Sequence, residues 1–306
     1  MNYRIVILSL SALLVACGSS SDSPVELDGA SNDVQADTSV GVEAAPKDLL
    51  SVISVINFTR EIESGVAVGF DVDGVVSEDG DDASCGHADF VSPDGTEGID
   101  NQLALITPLF DTVGIGAVEG FVQAAVEQGG LLIMWEVKGV DDAQNDDDVT
   151  VRLRFGTGKP LLGTDGLLLS GQTFHINPDS PDREVKGSIV DGQLRTEVFE
   201  AVLPIVVFEV AYELIIYEAR MTADVSYDGG LVNGIMGGRV TIENLLTIAE
   251  RAELEAGGIY EAVTFLLDGM ADMSPNEDGV CQELSAALTF TSVSGFLFPE
   301  DVATPE

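Results

Sequence analysis

Residues 69–101, GFDVDGVVSEDGDDASCGHADFVSPDGTEGIDN, carry ten carboxylates, one cysteine and one histidine, with no lysine or arginine. Carboxylates crowded in this way raise one another's proton affinity unless a cation sits among them. Asp71 and Asp73 flank Val72 at the end of an alternating run, Val66, Val68 and Phe70, which reads as a strand; Gly74 then permits a sharp turn. Two carboxylates at i and i+2 on a curling loop can converge, as they do at the first positions of calcium loops. The helix–loop–helix calcium template does not fit, because Val75 stands where a third ligand belongs and no glutamate follows at the twelfth position. Asp79, Asp81 and Asp82 offer further oxygens, as do Asp94, Asp100 and Asn101 in the turns SPDG and GIDN. The expected Ca²⁺ ligand set is therefore Asp71, Asp73, Asp79, Asp81, Asp82, Asp94, Asp100 and Asn101. The plainer alternative is a solvated acidic loop.

A second oxygen-rich cluster, Asp141, Asp142, Asn145, Asp146, Asp147 and Asp148, lies between two strand-like runs. Oxygen-only donors favour calcium over zinc or iron, and the two histidines, His87 and His175, are too few for a zinc site. Other chemistries find little purchase. No G-x-S-x-G nucleophile elbow and no glycine-rich phosphate loop occurs. Ser170 and His175 fall on opposite faces of one extended run, and His87 reads as a hydrogen-bonded loop residue. Glycoside hydrolysis needs only two well-placed acids, but one tryptophan and five tyrosines are few for a sugar cleft. No catalytic residue is assigned.

The amino terminus supplies an address. Arg4 precedes the apolar run IVILSLSALLVA and then Cys17, the pattern of a secretory signal rather than a membrane span. Leu14-Val15-Ala16-Cys17 resembles the lipobox of bacterial lipoproteins. The resemblance implies cleavage before Cys17, diacylation of its sulfur and acylation of the new amino terminus. It covers only the leader. Gly18, standing where such lipoproteins retained at the inner membrane carry aspartate, implies the outer membrane if the cell has one. The acidic segment is similar to stretches of other uncharacterised secreted lipoproteins, which brings no function with it. With Cys17 assigned to lipid, Cys85 and Cys281 remain as an even pair in an oxidising compartment, and a disulfide between them is expected.

The charge balance, 13 basic against 53 acidic residues and a net charge of −40, excludes nucleic acid and any broad contact with anionic lipid beyond the anchor. Yet 45% of the chain is hydrophobic, so a real core must lie beneath a very negative surface. Divalent cations or a saline habitat would reconcile the two.

Residues 1–16 thus read as a lipoprotein signal, 17–45 as the lipidated cysteine with a flexible Ser- and Asp-rich tether, and 46–306 as one β-rich domain. Period-2 alternation marks strands at 149–155, at 185–190 and 193–199 around an Asp191-Gly192 hairpin turn, and at 231–240. A single long strand is expected over 205–227 with a bend or bulge near Glu218 or Ala219, and another strand or pair of strands over 284–298 with Gly295 as a bulge. Residues 49–62 lean toward strand. Helices are expected over 116–129, over 242–255 after a Thr241 cap, from Ile259 to Met270, and briefly over 100–110 up to Pro108. The fold class is α+β: mostly antiparallel β, a sandwich or partly closed barrel, with two or three inserted helices. The functional expectation is a lipid-anchored, non-enzymatic envelope module stabilised by Ca²⁺, facing an unassigned extracellular or periplasmic ligand. The alternatives are a carrier of lipid or a small apolar ligand, resting on the two-sided apolar run 203–217, and a glycoside hydrolase.

Overall fold

The computed structural model describes residues 48–110, 118–207, 210–253 and 258–301. The signal, lipobox and tether expected before residue 46 lie outside them. In chain order the elements are β1 (Asp48–Phe58), α1 (Leu103–Ile106), α2 (Val118–Gln128), β2 (Leu132–Lys138), β3 (Asn145–Thr157), β4 (Gln172–Ile176), β5 (Glu184–Val190) and β6 (Gln193–Thr196). There follow β7 (Phe199–Val207), β8 (Val210–Val225), β9 (Leu231–Thr241), α3 (Ile242–Glu253), α4 (Ile259–Leu267), β10 (Met273–Pro275) and β11 (Cys281–Leu297).

Eight of these strands close into a barrel. The path β1-β2-β3-β5-β6-β8-β9-β11 is antiparallel throughout, and β11 returns to β1 with Ile56 opposite Phe290. Barrel neighbours follow one another along the chain, so the topology is an up-and-down meander, which leaves the barrel itself no open edge. This resolves the choice between sandwich and barrel in favour of a closed barrel. The three other strands lie outside the ring: β7 pairs with β8, β10 with β11, and β4 joins the end of β3 to the end of β11.

Alternation puts the core inside. Along β3, Val149, Val151, Leu153 and Phe155 are buried in the main cluster, while Thr150 and Arg152 on the other face are half-buried. Trp135 is fully buried, stacked on Phe290 at 6.1 Å and edge-on to Phe199 at 6.3 Å. Met221, Met236, Ile189 and Leu194 belong to the same cluster, so side chains fill the barrel. Ionic residues outside and apolar residues within reverse the polarity of a membrane-spanning barrel. Strand β1 is buried on both faces because α2 and the chain before β4 cover its outer side. Gln123 of α2 donates to the Ser54 carbonyl at 2.9 Å, and the Leu168 N–H donates to Ser54 Oγ at 3.1 Å.

Several local expectations hold. Asp191 and Gly192 form the β5–β6 turn with φ of 52° and 80°. Thr241 Oγ1 accepts from Asn244 N at 3.1 Å as the cap of α3. Glu218 has a φ of 50°, at a register shift between Tyr217 and Arg220. Two are corrected. The run 205–227 is not one strand: β7 ends at Val207 and pairs antiparallel with β8, which starts at Val210, and residues 208 and 209 lie outside the described residues. Gly295 is no bulge but the point where β11 passes from β1 to β4, with Ser294 opposite Ser51 and Gly295 opposite Gln172.

Candidate functional site

The acidic segment lies on the outside of the barrel against β8, β9 and β11. Three stretches of it run side by side, with bridges pairing Phe70 with Asp100 and Phe90 with Ile99. Ala67, Phe90, Ile99 and Ala104 form a small core of their own. Phe70 seats on the barrel wall at Gly237, where any Cβ would lie 3.1 Å from its ring. In each extended stretch an apolar residue is followed or preceded by an aspartate: Phe70-Asp71, Asp89-Phe90, Ile99-Asp100. Because successive side chains point to opposite faces, seating the apolar members gathers the aspartates on the other side.

Asp71, Asp73 and Asp100 each present an oxygen within 4.8 Å of the others. The loop between the first two is held by their own side chains. Gly74 N donates to Asp71 Oδ1 at 2.6 Å and Val75 N to Asp73 Oδ1 at 2.8 Å, while Gly74 takes a φ of 80°. Asp100, only 5% exposed, accepts from Val72 N at 2.6 Å. Burial above all, and then the charges of Asp73 and Asp89, push its carboxyl up to about 8 against the pull of the Val72 hydrogen bond. Asp89 accepts from Ser77 N at 2.6 Å. Its carboxyl is raised by burial and by Asp73 and Asp71, opposed by hydrogen bonds from Ser77 and Asp100. Arg220 approaches the cluster but donates to the Asp71 backbone carbonyl. Among the described residues no ion pair joins these four carboxylates to a lysine or arginine.

The remaining expected ligands lie elsewhere. Asn101 is buried with its amide tying the segment to β11: Nδ2 donates to Val68 O at 2.6 Å and Oδ1 accepts from Ala287 N at 3.1 Å. Asp81 accepts from Glu78 N at 2.8 Å and Asp94 from Thr96 N at 3.2 Å, each closing its own turn. Asp79 and Asp82 are exposed near Cys85. In the second acidic cluster Asp146 accepts from Asp141 N at 2.7 Å and Asp148 N at 3.1 Å, bonds that lower its carboxyl. Asp89 is the member the sequence reading missed. The aspartate-beside-apolar pairing it shares with Asp71 and Asp100 is the signal that marks it.

The far end of the segment is tied down twice. Cys85 and Cys281 form a disulfide with Cα atoms 6.0 Å apart, joining the segment to the start of β11. Beside it Gln102 N donates to Ser285 Oγ at 2.7 Å, and Ser285 donates through both N and Oγ to the buried Asp272, whose carboxyl is pushed up to about 6 by burial. Gln102 Nε2 donates to His87 Nδ1, which leaves His87 Nε2 to donate to Gly269 O, both at 2.9 Å. His87 is thus a structural loop residue. His175 stacks on Phe298 and meets Asp301, away from any partnership with Ser170.

Three carboxylates with two oxygens each, and among the described residues no cysteine or histidine in the group, make a donor set suited to a hard divalent cation such as Ca²⁺, which takes oxygen ligands. No protein-family model, no curated protein and no solved structure matches the chain.

Proposed function

We propose that this protein is a non-enzymatic module of the cell envelope, held to the membrane by lipid on Cys17, whose acidic segment, seated on a closed barrel, is stabilised by Ca²⁺. The observation that carries the cation is the meeting of Asp71, Asp73 and Asp100, with Asp89 behind them and, among the described residues, no lysine or arginine paired with their carboxylates. A cation bound there bridges the 70–75 turn to the strand at Asp100, so its binding energy adds to the stability of the folded segment by mass action. The anchor rests on the lipobox residues Leu14 to Cys17, and Gly18 after them favours the outer membrane of a two-membrane cell.

The test is a thermal melt of the purified protein in millimolar Ca²⁺, in EGTA, and in Na⁺ at matched ionic strength. A rise in melting temperature specific to Ca²⁺ is expected. An equal rise in Na⁺ alone would reduce the segment to surface charge. Release of a Cys17→Ala variant from the membrane fraction tests the anchor independently, and its retention there would remove that part of the reading.

A further inference from the structure

A cavity of about 570 Å³ opens at the barrel end where β2 begins and β3 stops. It exists because the β7–β8 hairpin outruns the wall: β8 pairs with β9 only from Tyr217 onward, while β7 stays paired to it back to Val210. The hairpin stands beside the rim, and α3 and the loop between β4 and β5 close the remaining sides.

We propose that this cavity binds a small apolar molecule carrying a positive charge, of the alkylammonium type. Its size is that of an ordinary small-molecule site, about 300–1,000 Å³. Leu131 and Leu132 at the rim, Val202 and Ile215 on the hairpin and Ile248 on α3 give it an apolar wall. Two polar side chains in that wall are already engaged. Asn244 accepts from Ile215 N at 3.3 Å and donates to Glu213 O at 3.1 Å, and Ser180 Oγ accepts from Phe155 N at 2.9 Å. Its charges are the exposed carboxylates of Asp179 and Glu213, and no lysine or arginine lines it among the described residues. The arginines beside the loop are engaged elsewhere, Arg154 with Asp182 at 2.9 Å and Arg183 with Glu200 at 2.5 Å. An anionic head group would therefore meet like charge with no cation to receive it, whereas an ammonium group meets two carboxylates at the mouth of an apolar slot. The cavity shares no lining residue with segment 69–101, so it stands or falls apart from the calcium reading.

The test is methyl NMR on the purified protein titrated with octyltrimethylammonium, octanoate and octanol, probes of one chain length that differ in charge. Expected are saturable shifts at the methyls of Leu131, Val202, Ile215 and Ile248 with octyltrimethylammonium, and binding weaker by about tenfold with octanoate. Val202→Trp, which fills the slot, should abolish the shifts, and Glu213→Gln should narrow the preference for the cation. Octanoate or octanol binding as tightly as the ammonium ion would overturn the proposal, as would shifts that fall elsewhere. Should Val202→Trp fail to fold, the wild-type shift map and the three-probe comparison decide.

Discussion

Two parts of the outer surface handle negative charge in opposite ways. On the wall made by β2, β3 and β5, Glu136 stands directly opposite Arg152 and lies 3.1 Å from Lys138, 3.7 Å from Arg152 and 3.4 Å from Arg154. Arg152 goes on to Glu184 on β5, and Arg154 reaches Asp182 at 2.9 Å. In the 69–101 segment four aspartates meet without such partners, and Asp100 is pushed up to about 8. The contrast teaches what regular pairing provides. A sheet brings residues from separate strands into register, so a carboxylate on one strand can be answered by a cation on the next. An irregular segment built from its own short bridges draws less on such cross-strand pairing: this one has no lysine or arginine of its own, and Arg220 of β8 meets the Asp71 backbone carbonyl rather than a carboxylate. A proton on Asp100 or a cation from solution would relieve the remaining charge.

The comparison can be broken at several points. The largest effect should follow Cys85→Ser with Cys281→Ser, since the bond closes a loop spanning 196 positions. In the chain-entropy model that loop corresponds to about 5 kcal/mol, readable by urea denaturation. A loss below about 1 kcal/mol would mean that the segment's own contacts hold it as firmly as the wall is held. Next, Glu136→Ala should cost about 3 kcal/mol in the same assay by leaving the nearly buried Arg154 short of a partner; a neutral result would show the wall's pairing to be incidental.

Asp100→Asn sharpens the other side. It should remove the Ca²⁺-specific rise in melting temperature, a gain of about 2.7 kcal/mol when the ion is present at a hundred times its dissociation constant. In EGTA the same substitution should change the pH profile. A carboxyl held near 8 in the fold keeps a proton that the unfolded chain releases near its ordinary value, so the wild type loses stability as pH rises from about 4 to about 8. Asp272 adds to that fall only up to about pH 6, and Asp89, raised as well, adds its own part, so the difference between wild type and Asp100→Asn reads the Asp100 share. Asp100→Asn should flatten the profile between about pH 6 and about 8, and an unchanged slope there would separate Asp100 from the effect. The smallest change is expected from Lys186→Ala, which removes an exposed pair with Asp148 and should shift stability by no more than about 0.5 kcal/mol.

Much of the local architecture was legible because it depends on near neighbours. The Asp191-Gly192 turn, the Thr241 cap, the break at Glu218 and the amphipathic helices each follow from a few residues whose backbone demands or periodicity are visible in order. The end of β7 and start of β8 were not, since the sequence Phe208-Glu209 between them carries no turn signature and the period-2 alternation continues through it. Among the acidic residues, Asp71, Asp73 and Asp100 were anticipated as neighbours. Asp89 was passed over, and Asn101, Asp81 and Asp94 turned out to serve the backbone.

What the chain determined by itself was its strands, turns and caps, the excess of carboxylates, and the pair of cysteines that the fold joins. Only the tertiary structure decided that eight strands close on themselves, that β1 meets β11 across more than two hundred residues, and which aspartates share one space. The reason is the range of the forces involved. Backbone preference and side-chain alternation act over a few positions, whereas barrel closure and the docking of Phe70 on Gly237 depend on surfaces that exist only once distant segments have packed.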